Sequence, residues 1–265
     1  MPINTWNSYG LELKTMLSIS IFKKIIKINY IFFYNGRQKL SKKKWVSFFV
    51  QSEVDVGGEE FLTSHIDLNQ NEKLIWSLIS KGFQSEIKKA EKESWRLCVD
   101  VNPSMNEISK VVTFFNDFAT NKKIAKADLI LLNALSAARG LCIAYISSND
   151  GLMTVCNFYI CDNCRSRLLY SSNNLHLYTD SSQIIGRNSK LLHWRMITYF
   201  KNRGFGVYDL GGLSKINEIP HSQINKYKRS FGGKDVVEYN KIQFRQDFIG
   251  RVFEYIYNVK RRFFK

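Results

Sequence analysis

The sequence predicts an α+β fold built on one mixed, largely antiparallel sheet flanked by helices. Helical periodicity comes first, then consecutive short β-rich segments divided by turn residues, then helix, strand, helix and strand in turn. No Gly-rich loop joins an early strand to a helix, which argues against a dinucleotide-binding fold. Apolar residues make up 45% and aromatics 14% of the 265 residues, enough to bury a core.

In the first 60 residues, 28–34 (INYIFFY) and 45–50 (WVSFFV) read as strands. A turn at Asn35-Gly36 and the basic run Lys42, Lys43, Lys44 lie between them. Asp67 or Asn69 is placed to cap a helix over 72–92, where Leu74, Ile75, Leu78, Ile79, Ile87 and Ala90 recur at helical spacing. A strand over 96–101 leads to Pro103 and to helices over 106–120 and 127–138, the second stopping at Gly140 as a C-cap.

The period then changes. Residues 141–146, 153–160 and 168–170 are rich in branched and aromatic side chains, with turns at Asn149-Asp150-Gly151 and Asp162-Asn163 between them. They read as an antiparallel meander. A helix over 190–203 with a wide apolar face ends at Gly204, and a short strand over 206–210 breaks at Gly211-Gly212. A short helix over 222–230 ends at Phe231-Gly232-Gly233, followed by a strand over 236–239 and an amphipathic, basic helix over 248–264.

The net charge of +16 has two readings. It suits a polyanionic partner such as tRNA, a nucleotide or an anionic membrane face. It also suits A/T-rich coding, since Lys, Asn, Ile and Phe are all abundant and the basic residues are spread along the chain. Five Cys, an odd number, argue against a disulfide framework. The apolar stretch 16–33 is interrupted by Lys23, Lys24 and Lys27, so no transmembrane segment is expected and a cytoplasmic protein is. Cys161-Asp162-Asn163-Cys164 has the spacing of half a zinc site, but no second pair completes it, and no metal is expected. His193 reads as a hydrogen-bonded structural residue; His65, His176 and His221 have no constellation around them in the sequence.

Four runs stand in order: Leu191-Leu192-His193-Trp194; Lys201-Asn202-Arg203-Gly204; Tyr208-Asp209-Leu210-Gly211-Gly212; and Tyr227-Lys228-Arg229-Ser230-Phe231-Gly232-Gly233. Together with the helical segment from Ile66 to Lys92, they resemble the FemAB-like branch of the GNAT superfamily over residues 62–245. The resemblance implies a reduced N-terminal subdomain over 1–70 and a GNAT-like acyltransferase domain over 71–265. It implies transfer of an acyl or aminoacyl group to an amine on a cell-envelope precursor, with acyl-CoA or aminoacyl-tRNA as co-substrate. A degenerate, non-catalytic protein of the same fold that binds tRNA or another polyanion is the alternative.

The resemblance and the residues together nominate a site. Asp209, where a strand opens into two glycines, accepts a proton, holds the acceptor ammonium, or merely bonds its own turn. Tyr208 alternates to the opposite face, where it is either core or catalytic. Lys228 offsets negative charge on an oxyanion or donor phosphate, or is a solvated helix charge. Gly211, Gly212, Phe231 and Gly232 are nominated for substrate binding, Phe231 alternatively packing the loop. Gly186, Arg187 and Asn188 are nominated for the donor's phosphates at the start of the helix at 190, although one glycine there falls short of the usual pyrophosphate loop.

Overall fold

The computed structural model describes residues 16–23, 26–37, 46–173, 182–215, 221–245, 247, 248, 250–252, 254 and 255. The expected basic runs at 42–44 and 260–262, Trp45, His176 and most of the expected C-terminal helix lie outside them. Among the described residues, those of 62–236 form one compact unit, and those of 16–61 and 237–255 form another.

The smaller unit is a sheet. Strand β1 (Leu17–Lys23) pairs antiparallel with β2 (Ile26–Phe32), and β2 runs parallel to β3 (Val46–Ser52). The strand β10 (Lys234–Phe244) lies antiparallel to β3, with Phe244 opposite Val46. Ile19, Ile21, Ile31, Val46 and Phe49 are buried, and Tyr30 stacks on Phe48 with ring centroids 5.2 Å apart. By register Ile19, Ile21 and Val46 share a face with Tyr30 and Phe48, while Ile31 and Phe49 lie on the other, so branched and aromatic residues supply both faces. No Gly, Pro, Asn or Asp separates β1 from β2 in the sequence, so no turn marks the boundary between them.

Among the described residues, the larger unit has six strands. They are β4 (Glu59–Asp67), β5 (Arg96–Val101), β6 (Leu141–Ser147), β7 (Met153–Cys161), β8 (Arg165–Asn173) and β9 (Val207–Gly212). Their order is β4-β9-β8-β7-β6-β5, antiparallel throughout except that β8 and β9 run parallel. The expected meander is therefore β6-β7-β8, lengthened at its ends. In β7 eight successive residues after Met153 are buried, as a central strand covered on both faces requires.

Helices cover those faces. They are α1 (Glu72–Leu78), α2 (Lys81–Glu91), α3 (Met105–Lys122), α4 (Leu129–Ala137), α5 (Ser182–Lys201) and α6 (His221–Arg229). Ile75, Ile79, Ile87, Ala90, Leu192, Met196 and Phe200 pack with Tyr159 and Tyr208 in one core. Phe115 of α3 meets Phe158 of β7 edge-on at 6.2 Å on the other. Each large apolar side chain buried this way contributes about 1.5–3 kcal/mol, so the seven buried apolar positions of α5 dominate over its helix propensity.

Four local readings are corrected. The helix expected over 72–92 is two, because Ile79 has ψ 136° and the Ser80 N–H donates to the Ser230 carbonyl at 2.9 Å. Its cap is Asn71, whose side chain accepts from the Lys73 N–H, while Asp67 accepts from the Asn69 N–H in a local turn. The helix α5 starts at Ser182, eight residues before 190. The left-handed residue after α4 is Arg139 (φ 57°), one before the expected Gly140.

Candidate functional site

The site forms where β9 and the C-terminal turn of α6 meet. Side chains alternate along β9, sending Tyr208 to the α5 side and Asp209 to the opposite face. Gly211 takes φ 78°, and a Cβ there would stand 3.0 Å from the Leu168 carbonyl and 3.6 Å from Lys228 Nζ. Only glycine fits that backbone at low cost.

Asp209 is fully buried. Its Oδ2 accepts from Arg165 Nη2 at 2.5 Å, and its Oδ1 accepts from the Thr63 hydroxyl at 2.5 Å and the Gly211 N–H at 2.8 Å. Arg165 Nη2 also lies 3.0 Å from His65 Nε2. Burial alone would raise the Asp209 carboxyl, but the Arg165 guanidinium and His65 outweigh it and hold it well below the usual carboxylate range. A carboxylate so held is an anion at all working pH values and a weak base. The geometry gives it an anchoring role and leaves little capacity to take an acceptor's proton.

Lys228 is brought to the same corner. Its ammonium donates to the Gly212 carbonyl at 2.6 Å. Burial pushes its pKa down to about 8, against the pull of Asp209 and with a push from Arg167. It is therefore mostly charged at neutral pH and is not a solvated helix charge.

Tyr208 is fully buried in a line of polar groups. Asn157 Nδ2 donates to the Tyr159 hydroxyl at 2.9 Å, the Tyr159 and Tyr208 hydroxyls are 2.9 Å apart, and Tyr208 stands 2.7 Å from His193 Nδ1. The Asn157 amide NH₂ only donates, and both hydroxyl protons find an acceptor when Tyr159 donates to Tyr208 and Tyr208 to His193. His193 then carries its proton on Nε2. Burial, with a push from Lys228, lowers the His193 pKa to about 3, so the ring is neutral.

Phe231 is also buried, its ring 4.8 Å from His193 and 5.1 Å from Phe83. It packs the loop. Gly232 (φ 81°) lets that loop lie against Leu78, whose Cβ would be 2.6 Å from an added Cβ.

Gly186, Arg187 and Asn188 are not at a helix start. They lie inside α5, so the backbone N–H groups of Arg187 and Asn188 sit beyond the helix's first free donors. Arg187 pairs with Glu93 at 2.6 Å, and the buried Asn188 donates to the Thr154 hydroxyl at 3.2 Å. The phosphate cradle expected there is absent, because α5 begins earlier than its apolar period suggests.

Over 91% of this chain and 86% of the other, the structure superposes on FemX with a TM-score of 0.61 at 9% sequence identity. The fold is that of FemX. The same FemX-like fold matches a conserved protein of unknown function from Bacteroides thetaiotaomicron (TM-score 0.51, 10% identity, 86% and 82% covered). It also matches the C-terminal domain of a protein assigned as a lysylphosphatidylglycerol synthetase from Agrobacterium fabrum (TM-score 0.50, 9% identity, 90% and 83% covered). No family model matches the sequence, and no curated protein matches it. The FemX-like fold agrees with the resemblance read from the four sequence runs.

Sequence reasoning missed Thr63, His65, Arg165, Asn157 and Tyr159. Thr63 and His65 lie on β4, whose mixed composition gave no strand signal. Arg165 stands just past the Asp162 turn, where Asp162 Oδ1 accepts from the Cys164 and Arg165 N–H groups at 2.7 and 2.6 Å. Alternation of Asn157 and Tyr159 along β7 was the available clue to the polar line.

Proposed function

We propose that this chain is an N-acyltransferase, delivering an acyl or aminoacyl group to an amine on a cell-envelope precursor such as an amino sugar, glycan or peptidoglycan peptide. The observation that carries the reading is Lys228: a half-buried ammonium held at the glycine break of β9, in a FemX-like fold. A partly desolvated cation stabilises developing negative charge better than one in water.

In this reading the neutral acceptor amine attacks the donor carbonyl, and the C–N bond forms as the carbonyl oxygen gains its charge beside Lys228. Collapse breaks the bond to the leaving thiol or ribose hydroxyl, which takes the proton that the amine gives up. Asp209 orients no proton. It holds Arg165 and the β4–β9 corner in place, and its field keeps Lys228 charged. The donor is acyl-CoA or aminoacyl-tRNA.

The test is direct. The purified chain is assayed with labelled acetyl-CoA and with charged tRNA against amino sugars and peptidoglycan peptides, beside Lys228→Met. Transfer by the parent and its loss in Lys228→Met are expected. A folded parent that transfers from neither donor, and whose melting point neither donor raises, defeats the reading.

The missing phosphate cradle favours a second reading, a non-catalytic protein of this fold that holds tRNA or another polyanion. It predicts salt-sensitive tRNA binding that Lys228→Met leaves intact.

A further inference from the structure

The strand β5 closes one side of the larger unit's sheet. It pairs with β6 and, among the described residues, with no strand on its other side. Along it Arg96 is exposed, Leu97 is 37% exposed, and Cys98, Val99 and Asp100 are half-buried. An unpaired edge is a template for another strand.

The edge reads Arg-Leu-Cys-Val-Asp from 96 to 100, with opposite charges at its ends and a free cysteine at its centre. Antiparallel pairing of two copies about a twofold axis at Cys98 sets Arg96 of each copy opposite Asp100 of the other. Leu97 then meets Val99, and the two Cys98 side chains face each other. Slipping the register by one residue sets Arg96 against Val101 and Asp100 against Leu97. Slipping it by two sets one of the charges opposite Cys98. Among these registers, the one centred on Cys98 pairs both charges, and opposite charges directly across a strand pair are favourable where like charges are not.

We propose that β5 pairs with β5 of a second copy of this chain, joining the two larger-unit sheets across a twofold axis at Cys98. The contact needs no movement of the strand, because its pairing with β6 uses only the other edge. Six-residue strands bury little area, so the dimer is reversible and concentration-dependent.

Sedimentation equilibrium of the parent is expected to show monomer and dimer in exchange. Diamide, which takes up the two electrons and two protons released when two thiols form a disulfide, is expected to trap a Cys98–Cys98 dimer, since directly opposed side chains lie within reach of a disulfide. The trapped species should vanish in Cys98→Ser and persist in Cys164→Ser. Asp100→Arg sets like charges face to face and is expected to weaken the dimer about tenfold or more. Adding Arg96→Asp to that variant should restore it, which separates a lost contact from a damaged fold. A parent that stays monomeric at all concentrations, or a dimer that is trapped through another cysteine or is indifferent to Asp100→Arg, overturns the proposal.

Discussion

Arg165 and Asp209 face each other at 2.5 Å with their side chains 4% and 0% exposed, tying the start of β8 to the middle of β9. Neither charge has water to fall back on. Removing one partner of such a pair strands the other, at roughly 3–5 kcal/mol. Arg165→Met is therefore expected to lower the urea midpoint sharply, and a midpoint unchanged from the parent would show that the pair holds nothing. The pH dependence has a definite sign. The folded carboxyl lies below its ordinary value, so its stabilisation is present above the unfolded Asp pKa of about 3.9 and is lost as pH falls below it.

Gly232→Ala is expected to destabilise the α6 corner without touching any titrating group. The residue sits at φ 81°, and an added Cβ would lie 2.6 Å from Leu78 Cβ and 2.7 Å from the Leu78 carbonyl oxygen. Strain and overpacking together cost about 2 kcal/mol or more. Thermal unfolding reads this as a drop of several degrees. Gly186→Ala, inside α5 with only the tip of Lys190 near, should by contrast be neutral or mildly stabilising.

These two glycines also show how far the sequence could be read. Gly232 was marked by its place at the end of a short helix, and the structure supplies the physical cause, the close approach of Leu78. Gly186 was marked by analogy with a phosphate loop, and its surroundings are a helix interior. Periodicity located α3, β5, β6 and β7 to within about two residues, because their apolar residues face one side or lie between turn residues. It placed the start of α5 late, since Ser182, Gln183 and Gly186 carry no apolar stripe. Lys228 and Asp209 were visible as a spacing, whereas the partners that hold the Asp209 carboxylate come from β4 and β8, more than 40 residues away in sequence. Nothing local in a sequence announces such a contact.

His193 should make the protein acid-sensitive. Its folded pKa of about 3 lies below the ordinary histidine value near 6.5, so the unfolded chain binds a proton that the native one refuses. Stability is then complete above about pH 6.5 and falls as pH drops toward 4, by at most about 1.4 kcal/mol per pH unit. Urea unfolding between pH 7 and 4 measures the slope. His193→Asn is expected to flatten it, and an equal slope in the variant would assign the acid loss elsewhere. Tyr208→Phe, which removes the donor to His193 Nδ1, should leave a buried acceptor unpaired and cost about 1–3 kcal/mol.

Lys228 separates activity from stability. Transfer that depends on its charge is expected to decline as pH rises through about 8, since burial has lowered its pKa to that value. Stability moves the opposite way. The folded pKa lies below that of an unfolded lysine, near 10.4, so the cost of a buried charge is full at neutral pH and is relieved as pH climbs from about 8. Lys228→Met gives up the hydrogen bond to Gly212, worth about 1 kcal/mol, and also that charge cost, so its urea midpoint should stay near the parent's. Its transfer rate should fall at least about 100-fold, the scale seen on removing one donor to an oxyanion. Lys228→Arg keeps a cation that does not titrate, so its residual activity should lose the limb at pH 8. A limb that persists in Lys228→Arg would move the titration to the acceptor or to another group, and with it the electrostatic role assigned to this residue.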